Sequence, residues 1–96
     1  MGEPDPRRDP GPYETEAQAR AQFEATALGI PGPDWRRRWM TLLEPLAGAG
    51  VVLSEYEQAV VKNVAVGLDD EDAQVLAGFI LRAWKAGRDS ATGRTA

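Results

Sequence analysis

The side chains best able to make and break bonds are scarce in this chain. It has neither cysteine nor histidine, which removes thiol nucleophiles, disulfides, the usual zinc ligand sets and the commonest general base. Serine occurs only at Ser54 and Ser90. Ser54 heads Ser54-Glu55-Tyr56-Glu57, where its oxygen is wanted as a helix cap, and Ser90 stands among small polar residues with no base beside it. Asp69-Asp70-Glu71-Asp72 gathers carboxylates, but a calcium loop needs alternating oxygen ligands, a central glycine and a closing glutamate. Acids at a helix start complement the helix dipole, which explains the run without a metal. No catalytic, cofactor or metal site is predicted, and the expectation is a protein that is not an enzyme.

Two groups of residues suit binding instead. Arg36-Arg37-Arg38 lies between Trp35 and Trp39 and offers cations and aromatic faces of the kind that hold nucleic acid. Three consecutive helix residues fan over about 200°, however, so they make no single patch. The formal net charge is −4, from fifteen acidic and eleven basic residues, which disfavours a chain whose main task is to neutralise phosphates. The second group is apolar: Trp35, Trp39, Leu81 and Trp84, on helices richer in apolar residues than a small core needs, predict a protein interface.

The elements that must position these groups are helical. Residues 1–14 hold four of the seven prolines and are expected to be a disordered arm. A first helix is expected over 15–28, with Thr15 and Gln18 as a capping box. Its thin apolar face, Ala19, Phe23, Ala27 and Leu28, predicts the most easily detached helix. After Ile30-Pro31-Gly32-Pro33, Asp34 is expected to cap a second helix over 34–47. That helix shows Trp35, Trp39, Leu42, Leu43 and Leu46 on one face, with Pro45 kinking it or ending its regular part.

A third helix, 54–66, opens on the Ser54 and Glu57 capping box and is expected to turn Tyr56, Ala59, Val60, Val64 and Val66 inward and Glu55, Gln58 and Lys62 outward. A fourth, 70–86, carries Ala73, Leu76, Ala77, Phe79, Ile80, Leu81, Ala83 and Trp84 around most of its circumference, leaving a polar strip of Gln74, Gly78, Arg82 and Lys85. The expected fold is all-α, a small four-helix bundle over 15–87 with a disordered tail over 88–96. Helices three and four form a tight hairpin that resembles a helix-turn-helix. As a DNA reader it would bring four carboxylates to the phosphates.

The stretch Leu43-Glu44-Pro45-Leu46-Ala47-Gly48-Ala49-Gly50-Val51, with Leu53, Tyr56-Glu57, Gly67-Leu68-Asp69 and residues 75–83 after it, resembles small helical proteins of actinobacteria and of their phages and plasmids. The resemblance covers about half the chain and implies a mobile-element setting, but it supplies no activity or site residues.

No segment approaches the roughly 18 continuous apolar residues of a membrane span, and no signal-peptide pattern is seen, so a cytoplasmic protein without membrane contact is expected. The function expected is that of an accessory or regulatory module working through protein contacts, with a partner or as a homodimer. The alternative is a small dimeric DNA-binding regulator using Arg36, Arg37 and Arg38.

Overall fold

In the computed structural model, residues 9–27 and 29–93 are described, with side chains through Arg88. Four helices follow one another, α1 (Glu16–Ala27), α2 (Asp34–Gly48), α3 (Glu55–Gly67) and α4 (Asp70–Gly93), with no strand among the described residues. The fold is a small all-α four-helix bundle. α2 is its hub: α3 and α4 both pack on it, while α1 packs chiefly on α4. Although α3 and α4 are joined by only Leu68 and Asp69, they do not pack together as a hairpin; each leans on α2.

Local chemistry explains where the helices start. The Ser54 hydroxyl accepts from the Glu57 amide at 3.1 Å, and the Glu57 carboxylate accepts from the Ser54 amide at 3.0 Å, which satisfies two end donors reciprocally. At α1 the Thr15 hydroxyl accepts from the Gln18 amide at 3.1 Å, but the Gln18 side chain returns to the amide of Glu14, at 2.8 Å, one residue earlier than a capping box requires. α2 departs further from expectation: its cap position is Pro33, which offers no side-chain bond, and Asp34, inside the first turn, pairs with Arg37 at 2.9 Å. Pro45 is carried within α2 and buried there. Leu28 lies outside the described residues.

Besides Pro45, the buried apolar side chains among the described residues are Ala19, Phe23, Ala27, Leu42, Ala65, Ala73 and Ala77. Five of these seven are alanines, so the helices meet on small side chains and gain correspondingly little: about 0.8 kcal/mol for a methyl-sized group against about 1.5–3 kcal/mol for a leucine or phenylalanine. Polar ties supplement this core. Arg20 of α1 donates through Nε and Nη2 to Glu71 Oε1 of α4, at 3.2 and 3.0 Å. Arg38 of α2 donates Nε to the Ala65 carbonyl of α3 and Nη1 to Asp70 of α4, both at 2.8 Å. The acidic run thus does more than start α4, because two of its four carboxylates moor other helices.

The described residues include part of the expected arm, from Asp9, and part of the expected tail, to Gly93. Pro10 and Tyr13 lie against α4: the Tyr13 hydroxyl donates to the Asp9 carbonyl and accepts from Gln74 Nε2, the latter at 3.0 Å. The backbone of Pro10 crosses α4 at Gly78, so close that a Cβ there would sit 2.4 Å from the Pro10 carbonyl oxygen. The strip of Gln74 and Gly78, expected to be α4's polar solvent face, is buried under this clasp. At the other end α4 continues to Gly93, through most of the expected tail. The rest of the arm, residues 1–8, lies outside the described residues.

Candidate interaction surface

The four apolar residues expected to share one interface divide into two pairs. Trp35 and Trp39, one turn apart on α2, set their rings 6.3 Å apart between centroids at 34°. Lys62 of α3 covers them, its ammonium 4.8 Å from the Trp35 centroid and 5.9 Å from that of Trp39. This half-buried arrangement is part of the joint between α2 and α3, with the cation held over two aromatic faces. Leu81 and Trp84 lie elsewhere, on a cavity of about 360 Å³ shared with Ile30, Pro45 and Ala77. The α2 residues on this cavity, Thr41, Glu44 and Pro45, stand roughly opposite Trp35 and Trp39 around the helix axis. Trp84 is partly covered by Arg88, whose guanidinium lies 4.6 Å from its centroid.

The arginine cluster divides as well. Arg37 pairs with Asp34 and donates Nε to the Ile30 carbonyl at 3.1 Å. Arg38 is committed to Ala65 and Asp70. Of the three, only Arg36 is exposed. The carboxyl of Glu71 is held below its ordinary range, first by the backbone N–H at the start of its own helix and then by Arg20. No group of three or more acidic, cysteine or histidine side chains among the described residues is placed to hold a metal.

The surface that stands out is one for which the sequence predicts burial. α3 turns Val61 and Ala65 toward α2 and presents Tyr56, Ala59, Val60, Val64 and Val66 to solvent. Tyr56 is 78% exposed, Val60 43%, Val64 45% and Val66 54%. Glu55, Gln58 and Lys62 are exposed as expected, but the residues expected inward are exposed too; α3 is apolar around most of its circumference, so counting apolar residues cannot choose its inner face. The choice belongs to α2, whose two tryptophans seat the Lys62 cation and whose Arg38 reaches the Ala65 carbonyl.

Around the outward arc, in angular order, stand Val66, Ala59, Asn63, Tyr56, Gly67, Val60 and Val64, none charged and all exposed. Glu57 at the edge of this arc is turned back to its capping bond. A solvent-facing helix surface is ordinarily its polar one, and this uncharged arc of seven residues departs from that pattern. Val51 and Val52, on the approach to α3, are also exposed.

The fold and this surface define a class, a small all-α bundle with one helix turned apolar side outward. The chain matches no protein-family model, no curated protein and no solved structure. Among the described residues no helix is long and apolar enough to cross a membrane.

Proposed function

We propose that this chain is a non-enzymatic module acting through protein contacts, and that the outward face of α3 makes them. The observation that carries this reading is the seven-residue uncharged arc on a solvent-facing helix, a composition typical of a fully buried interface centre rather than of free surface. The alanine-rich core supports it, since a domain of this size with so little large apolar burial gains from covering Tyr56, Val60 and Val64 with another chain. The DNA-binding alternative has less support, because Arg37 and Arg38 are engaged within the fold.

The test is photochemical. A benzophenone side chain at Val60 should capture protein in cells, while the same group at exposed Glu24 of α1 should not. Equal capture at both positions, or none at Val60, would remove the α3 surface as the working face.

A further inference from the structure

We propose that the partner of α3 is α3 of a second copy of this chain, the two helices lying antiparallel about a twofold axis. This rests on the preceding reading of the outward face and names what covers it. Along that face Tyr56, Val60, Asn63 and Gly67 follow at spacings of four, three and four, the seam of a heptad pattern, flanked by Ala59, Val64 and Val66. A twofold interface must be self-complementary, each contact occurring twice.

Laid antiparallel with Tyr56 opposite Gly67, this seam also sets Val60 opposite Asn63. The largest side chain of the face then meets the one position without a side chain, some 16 Å along the helix at about 1.5 Å per residue. Gly67 is open to receive it: a Cβ there would meet nothing within 4 Å, and its φ is not positive, so neither crowding nor backbone conformation within the chain calls for glycine. The two copies of Asn63 flank the axis, where a polar pair in an apolar seam fixes register. The lack of charge suits self-pairing in particular, because a twofold operation tends to carry any charge near the axis toward its own copy.

Sedimentation of the purified full chain from about micromolar to millimolar concentration should show a reversible monomer to dimer shift. Raising the salt should not weaken it, as the seam contains no ion pair. Val60→Glu should weaken association by about a hundredfold or more by burying unpaired charges. Gly67→Leu should do so by filling the seat of Tyr56, while raising the helix propensity of α3, so that retained helicity separates lost pairing from lost folding.

Direction is read by cross-linking. In this cysteine-free chain, Tyr56→Cys combined with Gly67→Cys should oxidise to a dimer linked from position 56 of one copy to 67 of the other. Links of 56 to 56 would overturn the antiparallel arrangement. A chain that stays monomeric throughout the concentration range would overturn self-pairing. If the Val60 photoprobe then still captures other proteins, the contact surface stands with a different partner; if it captures nothing, both readings fall.

Discussion

Arg38 joins three helices through one guanidinium. Its side chain is 14% exposed and its partners are the Ala65 carbonyl and the Asp70 carboxylate. Arg38→Met keeps much of the apolar stem and removes the donors, so the expected cost is about 2 kcal/mol, the range for hydrogen bonds to charged groups. Urea unfolding should show this as a lowered midpoint with an unchanged slope. Glu71 supplies a pH-dependent counterpart. Its carboxyl is depressed in the folded chain, by its own backbone N–H and then by Arg20, so the unfolded chain takes up a proton first as pH falls. The stabilisation is complete above the ordinary glutamate value and is lost as pH drops through the depressed one. Unfolding midpoints followed downward from neutral pH should therefore fall less steeply for Glu71→Gln than for the native chain. Neither tie was legible in the sequence, because Arg38 meets Asp70 across 32 residues and Arg20 meets Glu71 across 51, and no local pattern pairs them.

At the scale of elements, what is local was legible and what is relational was not. The bonds between Ser54 and Glu57 close within four residues, so the start of α3 follows from the sequence, as do the existence and order of all four helices. Which way α3 faces does not follow, since its apolar residues cover most of its circumference and the tryptophans and Arg38 of α2 decide. Nor does the fate of α4's strip of Gln74 and Gly78, which depends on Tyr13, 61 residues before Gln74. The sequence marks Gly78 as polar-face filler, whereas the structure makes it the notch through which the Pro10 backbone passes. Gly78→Ala tests this directly. Alanine favours the helix itself by about 1 kcal/mol, yet its Cβ collides with the Pro10 carbonyl, a backbone atom unable to swing away on a side-chain torsion. The expected result is an α4 at least as helical as before, with faster amide exchange and protease cleavage confined to residues 9–14. Unchanged protection of that segment would show that the clasp passes α4 by another path.

For the whole molecule, the distribution of burial sets the order in which parts come loose. α1, with the thinnest apolar face in the sequence, contributes Ala19, Gln22, Phe23 and Ala27 to the interior and is tied by Arg20 to Glu71. α3 contributes only Ala65 and leans chiefly on α2. Local opening follows such differences in seated surface, so α3 rather than α1 is the helix expected to detach first. Hydrogen exchange on a dilute sample should find α3 amides the least protected among the four helices, with α2 and α4 the most. Self-pairing adds a second dependence, because a second copy binds only chains whose α3 is in place and stabilises it by mass action. Protection in α3 should therefore climb with protein concentration while that of α1 stays nearly level. In Gly67→Leu, where the helix is locally stronger but its seam is blocked, the concentration dependence should vanish. An α3 equally protected at all concentrations would mean that α2 alone suffices to hold it, and the exposed arc would lose its energetic reason for a partner.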